Sequence, residues 1–206
     1  MELDPEAEGG DALYRWLTTV VVPRPVAWVT TRSPQGKLNA APFSFFTCLA
    51  AHPPLLGVTV MRRRGVLKDT ASNALATGEF VINTVTEANW LMANATSIEA
   101  PPDYDEVAAV GLTPVQSHKV SVPGLAEAPV RLECVLEAAL EFGQADGRSH
   151  PATFLVGRVV WMWMADDVVD EAGVDPRRLR AMGRMGGPAW TATQEIRRAE
   201  RPRWER

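Results

Sequence analysis

Two short stretches carry residue types that could bind a phosphorylated, planar ligand. In "RRRGVLKDTASN", Arg62, Arg63 and Arg64 precede Lys68, Asp69 and Thr70, which stand at an expected helix start. A helix N-terminus offers unpaired backbone amides and about half a positive charge from its macrodipole. The Lys68 ammonium and the Thr70 hydroxyl would add to that site, and one or two of the arginines could reach the same anion. The second stretch, "NAAPFSFF", runs through Asn39, Ala40, Ala41, Pro42, Phe43 and Ser44 to Phe45 and Phe46. Small residues there would let a flat ring approach the backbone, amides would bond the ring edge, and phenylalanines would supply apolar walls. Each stretch also has a plainer reading: a solvated basic loop, an ordinary helix cap through Asp69 or Thr70, and a buried strand bulged at Pro42.

The usual catalytic constellations are missing. His52, His118 and His150 sit in turn-like or proline-adjacent contexts without metal-ligand spacing. No Cys-x-x-Cys, Gly-x-Ser-x-Gly or His-Glu-x-x-His pattern occurs, and no Gly-x-Gly-x-x-G turn marks a Rossmann site. Such a chain, if an enzyme, would leave the hard chemistry to a cofactor and supply binding and electrostatics itself.

The elements that must position these residues read as mostly strand. Residues 20–31 are rich in β-branched types, with Pro23 and Pro25 near the start, where missing amide donors harm a ladder least. A turn at "SPQG" leads to a second strand over 38–49, and "HPP" separates it from a third over 55–61. Short connections favour an antiparallel meander of the three. A helix should follow from Lys68 to Gly78, then a strand over 79–85 and a helical excursion ending at Gly111. Residues 130–142 and 153–164 read as long strands around the loop "GQADGRSH", although the Ala, Leu and Glu content of the first also fits a helix. Many hairpin-linked strands with a few short helices indicate a mainly β, α+β fold, a β-barrel with helical inserts. Trp161, Met162, Trp163 and Met164 are consecutive, so both faces of the last strand need cover, from the helical insert or a second subunit.

Composition narrows the class. The chain has 206 residues and a formal net charge of −4, which suits one decorated domain and argues against nucleic-acid binding. No run of 18 apolar residues points to a membrane span, and the acidic start lacks the marks of a signal peptide. Cys48 and Cys134 lie in apolar runs and read as small buried hydrophobes in a reducing, cytoplasmic setting.

Six segments, taken together and in order, carry a resemblance. They are "LYRWLTTVVVPRPVAWVTT", "GKLNAAPFSFFTCLAAHPPLLGVTV", "KDTASNALATGEFVINTV", "MANATSIEAPPDYDEVAAVGLTP", "APVRLECVLE" and "GRMGGPAW". This pattern closely resembles the flavin reductase-like proteins with an FMN-binding split-barrel fold, the flavoredoxin group included. The resemblance covers residues 13–193 as one domain, between an acidic, flexible stretch at 1–12 and a charged tail at 194–206. It implies a homodimer with FMN near the subunit interface and NADH or NADPH as electron donor. Carried over by position, the flavin ring would lie against residues 39–44 with Trp28 and Thr30 nearby, and Lys68 and Thr70 would meet the phosphate with help from Arg62 or a neighbouring arginine, Asp69 being part of the same cofactor-binding turn. Trp190 stands where the family usually has tyrosine. The implied activity is hydride transfer to flavin N5, with no catalytic acid or base from the protein and a monooxygenase or other acceptor of reduced flavin as partner. A flavoredoxin-type electron carrier and a non-redox flavin-binding module are the other activities the fold allows.

Overall fold

Seven antiparallel strands form one sheet in which the two edge strands are neighbours in the chain. The structure is a computed structural model that describes residues 1–63, 65–101, 104–143 and 152–204. Arg64, His150 and all of the "GQADGRSH" loop except Gly143 lie outside the described residues. The strands are β1 (Ala27–Arg32), β2 (Leu38–Phe43), β3 (Phe46–Ala51), β4 (Pro54–Met61), β5 (Glu79–Thr84), β6 (Val130–Phe142) and β7 (Ala152–Met164). Their spatial order is β2-β1-β5-β6-β7-β4-β3.

That order requires closure. In a flat sheet, six interstrand spacings would hold β2 and β3 about 29 Å apart. Only Ser44 and Phe45 join them, and three Cα–Cα steps from Phe43 to Phe46 span at most about 11 Å. The sheet therefore curls into a barrel. No ladder joins β2 to β3, so the barrel is split at Ser44 and Phe45.

This seam corrects two expectations. The strand expected over 38–49 is two strands, and the expected three-strand meander does not form, because β1 pairs with β2 while β3 pairs with β4. At the break, the Phe45 carbonyl accepts from the Thr59 amide at 2.8 Å and ties the seam to β4. A third expectation also gives way. The strand start at Val20 is instead the end of a helix, α1 (Gly10–Val20), whose first turn takes residues 10–12 from the stretch expected to be flexible. Leu13, Leu17 and Val20 recur at helical spacing along it, and the Thr18 and Thr19 hydroxyls fold back onto carbonyls one turn earlier.

β1 is covered on both faces. Ala27 and Val29 join Phe43, Val58, Phe80 and Leu155 in one buried cluster. Trp28 points the other way, with Ala40, Val107, Leu112 and Leu125, beneath an insert that holds α3 (Trp90–Ala95) and α4 (Glu106–Val110). Helix α2 (Asp69–Thr77) packs Ala71 and Ala74 on the first cluster and stops at Gly78, whose φ of 74° is the left-handed turn that glycine takes without strain.

Residues 130–142 are a strand, and bulges explain their imperfect alternation. Pairing between β6 and β7 slips between Val156 and Gly157 and again between Val159 and Trp161. Glu133 is buried because it accepts the His118 and Lys119 amides at 2.8 and 2.6 Å. The cysteines differ from each other. Cys134 is buried, and burial pushes its thiol pKa up to about 12, whereas Cys48 is exposed on β3, contrary to the reading of both as core. No helix among the described residues is long and apolar enough to cross a membrane.

Candidate functional site

A cavity of about 760 Å³ opens beside the split seam. Its size lies within the range usual for small-molecule sites, roughly 300–1,000 Å³. Tyr14 and Leu17 of α1 form one wall, and Pro42, Phe43, Ser44 and Phe45 form another. Arg62 and Lys68 give it a basic side, and Ser97 and Glu99 of the insert also line it. Arg184 and Trp190 complete it from a small antiparallel ribbon made by Arg24–Pro25, Met182–Arg184 and Trp190–Ala192.

Seven of the residues singled out in the sequence meet here: Pro42, Phe43, Ser44, Phe45, Arg62, Lys68 and Trp190. The others are not among the cavity's lining residues. Trp28 is fully buried and donates from its indole to Thr96 Oγ1 at 3.0 Å. Thr30 is buried and donates to the Pro123 carbonyl at 2.7 Å. Ala40 is in the core, Ala41 packs against the barrel cluster, and Asp69 is half-buried at the start of α2. Asn39 and Thr70 bond each other in the interior, with Thr70 Oγ1 donating to Asn39 Oδ1 at 2.8 Å. The Thr70 proton is therefore engaged inside the fold, and neither Thr70 nor Asp69 caps α2. Lys68 takes the N-cap position, and its side chain makes no capping hydrogen bond.

Of the consecutive arginines, the two that are described are both ion-paired: Arg62 with Glu141, and Arg63 with Glu99 at 2.8 Å. The pairing leaves Arg62 Nε buried without a hydrogen-bond partner. Lys68 makes no ion pair among the described residues and is exposed at the cavity edge. Arg184 lies over the Trp190 ring, 4.9 Å from its centroid, and the Trp190 Nε1 donor is also buried without a partner. Arg62, Lys68 and Arg184 bring positive charge to one cavity and match an anionic ligand. The aromatic and proline side chains between them match a flat ring. These features fit FMN. No group of His, Cys, Asp and Glu among the described residues could hold a metal.

The sequence reading missed the walls supplied by Tyr14, Leu17, Ser97, Glu99 and Arg184, and it missed the residue that supports the seam. Arg24 is buried and holds the seam to α1 and to the ribbon. Its Nη1 donates to the Thr18 and Val21 carbonyls at 2.6 and 2.7 Å, Nη2 to the Met185 carbonyl at 2.8 Å, and Nε to Ser44 Oγ at 3.3 Å. The carbonyls at the end of α1 favour a cation there. Burial lowers the Arg24 pKa, yet a guanidinium stays charged. An arginine set between two prolines in an apolar run was the available signal.

Comparison with known proteins agrees with this geometry. The chain is 44% identical over 203 residues to the uncharacterized protein BH2278 of Halalkalibacterium halodurans, a match covering 98% of this chain and 97% of that protein. Its fold superposes on nitrilotriacetate monooxygenase component B from Bacillus cereus with a TM-score of 0.93 and 35% identity, over 97% of this chain and 98% of the other. The 2-nitrobenzoate 2-nitroreductase NbaA of Pseudomonas fluorescens matches at 0.85 with 28% identity, over 98% and 96%. Residues 19–183 match the model of the flavin reductase like domain, and the chain belongs to that family.

Proposed function

We propose that the protein binds FMN in the seam cavity and works as an NAD(P)H-dependent flavin reductase. The observation that carries this reading is a single cavity lined by Lys68 at the start of α2, by Arg62 and by the aromatic seam. Lys68 and the first-turn amides of α2 would meet the phosphate, with Arg62 as a second cation. Pro42 to Phe45 and Trp190 would flank the ring, and the Trp190 indole offers a flat face and an N–H where a tyrosine would offer a hydroxyl. Arg24 holds Ser44, and so the seam, in place.

When bound, the flavin supplies the hydride and electron chemistry that no side chain here provides. What remains for the chain is to orient two planar rings and to keep water from between them. Leu17 and Tyr14 close one side of the cavity, and Tyr14 stacks on Phe45 with centroids 6.2 Å apart. We assign a homodimer on the exposed apolar residues of β3 and of the end of β7, where Trp161, Met162, Trp163 and Met164 all remain partly open. The likeness to a monooxygenase component supports a monooxygenase as acceptor of the reduced flavin.

The test is NADH and NADPH oxidation with catalytic FMN. Continuous turnover in air, and a single bleaching of the flavin without oxygen, is the expected result. Bound FMN that dithionite reduces but neither nicotinamide does within minutes would replace this reading with that of an electron carrier.

A further inference from the structure

Glu106 is a buried carboxylate that the fold does not need for capping. Asp105 already caps α4, accepting from the Ala108 amide at 2.9 Å, and Val107 already anchors the helix in the core. The Glu106 carboxylate turns inward instead, where Oε2 accepts from Asn39 Nδ2 at 2.9 Å and from the Ala40 amide at 3.4 Å. Burial raises its pKa, so holding a carboxylate at this place works against stability.

The effect of that acceptor is directional. Asn39 has a donor end and an acceptor end, and an acceptor at Glu106 fixes which end faces which way. With Nδ2 turned to Glu106, Oδ1 receives the Thr70 hydroxyl at 2.8 Å and the Thr31 hydroxyl at 3.3 Å. Asn73, one turn along α2, donates to Thr31 Oγ1 at 3.1 Å. Thr70 and Asn73 thus fasten the same side of the first turns of α2 to β1 and β2. Without the acceptor at Glu106, the Asn39 amide could rotate and present its NH2 group to Thr70. The Thr70 hydroxyl would then have to turn from donor to acceptor, and the bond that seats the first turn, next to Lys68, would lose its present geometry.

We propose that Glu106 is a positioning residue for the phosphate-binding turn of α2, acting through Asn39 and Thr70. The proposal rests on the reading of that turn as the FMN phosphate site. It assigns the buried carboxylate a role in ligand discrimination, which the ratio of FMN to riboflavin affinity reads and a general loss of stability would not move.

The experiment titrates FMN and riboflavin into the full chain and compares their affinities, with thermal unfolding of each flavin-free variant alongside. The wild type should prefer FMN. Glu106→Leu should lower the FMN-to-riboflavin ratio about tenfold, the size of one misaligned charge-assisted hydrogen bond, while riboflavin affinity holds and the melting temperature falls because the buried Asn39 amide loses its acceptor. Glu106→Gln, whose amide oxygen can accept both N–H groups, should restore the ratio to within about twofold. Thr70→Val breaks the relay at its other end, and combined with Glu106→Leu it should add no further loss. Should the leucine variant fail to fold, Glu106→Met offers a more adaptable side chain for the same measurement. A ratio unchanged in the folded leucine or methionine variant, equal losses of both flavins, or additive losses in the double variant would each overturn the proposal. Equal affinities in the wild type would remove the phosphate site itself, and this role of Glu106 with it.

Discussion

β2 and β3 come from one nearly unbroken apolar run, yet the fold treats them in opposite ways. On β2, Asn39, Ala40 and Phe43 are buried, Phe43 in the barrel cluster and Ala40 under the helical insert. On β3, Thr47, Cys48, Leu49, Ala50 and Ala51 are all exposed, on both faces of the strand. Each strand pairs along one edge only. What separates them is cover: α2 and α4 pack against β2, whereas β3 has β4 beside it and open surface on its faces. Apolar character therefore serves two purposes within a dozen residues. In β2 it builds the wall that holds the site, and in β3 it leaves an uncovered edge of the kind that invites a partner.

Phe43→Ala and Leu49→Ala put the largest expected difference on this comparison. The first removes a buried ring from the barrel cluster and should cost about 3–5 kcal/mol. The second trims an exposed side chain and should change the stability of the isolated subunit by less than about 0.5 kcal/mol. Urea unfolding at low protein concentration reads both. Similar losses at the two positions would mean that β3 is as embedded in the subunit as β2.

Thr70→Val comes next. The sequence alone sets Lys68 and Thr70 together near the surface, but Thr70 is only 1% exposed and holds Asn39. Valine keeps the shape and deletes the donor, which should cost about 1–2 kcal/mol in the flavin-free protein. Lys68→Ala should leave that stability unchanged and weaken FMN alone. If the two variants behave alike, the division between a structural and a binding residue two positions apart is wrong.

The buried carboxylate behind β2 should also leave a mark in the pH dependence of stability. Burial raises the Glu106 pKa, the Asn39 and Ala40 bonds offset part of that rise, and the nearby Asp69 charge adds to it. A group raised in this way contributes stability that is fully present below its unfolded value, about 4.3, and is lost as pH rises through its folded value. Glu106→Gln removes the titration. The stability of wild type relative to this variant should accordingly fall as the pH rises above about 4.3, as read by urea unfolding at a series of pH values. A constant difference would show that Glu106 does not ionise differently in the folded protein.

Much of the architecture was legible because it is local. The long strands, the helix ended by Gly78 and the turn at Gly111 follow from β-branched runs and left-handed glycine positions. The seam was not legible, because nothing in "PFSFF" says that Phe43 and Phe46 belong to opposite ends of a sheet. Helix α1 was hidden by the β-branched Thr18, Thr19 and Val20 at its end, although Leu13, Leu17 and Val20 kept helical spacing. Of the site, the basic and aromatic halves could be read, but which of their side chains face the cavity could not. Strand alternation sends Trp28 and Thr30 into contacts with Thr96 and Pro123, residues far away in sequence. The partners of Asn39 and Arg24 are likewise set by tertiary packing, 67 residues away for Glu106 and 161 for Met185.

Leu49→Lys has the smallest expected effect on folding and makes the sharpest statement about β3. Leu49 is 45% exposed on an edge strand, so a lysine there keeps its stem on the surface and its ammonium in water. The isolated subunit should unfold within about 0.5 kcal/mol of wild type. In a homodimer that covers β3, the same charge would be buried against an apolar strand without a counter-charge, which disfavours association strongly. Light scattering over a dilution series should then show wild type as a dimer and the variant shifted toward monomer, with FMN still bound by each subunit as far as the cavity is complete without its partner. A variant that stays dimeric with unchanged affinity would place the subunit contact elsewhere. The exposed end of β7, with Trp161 to Met164, would then be the surface to mutate.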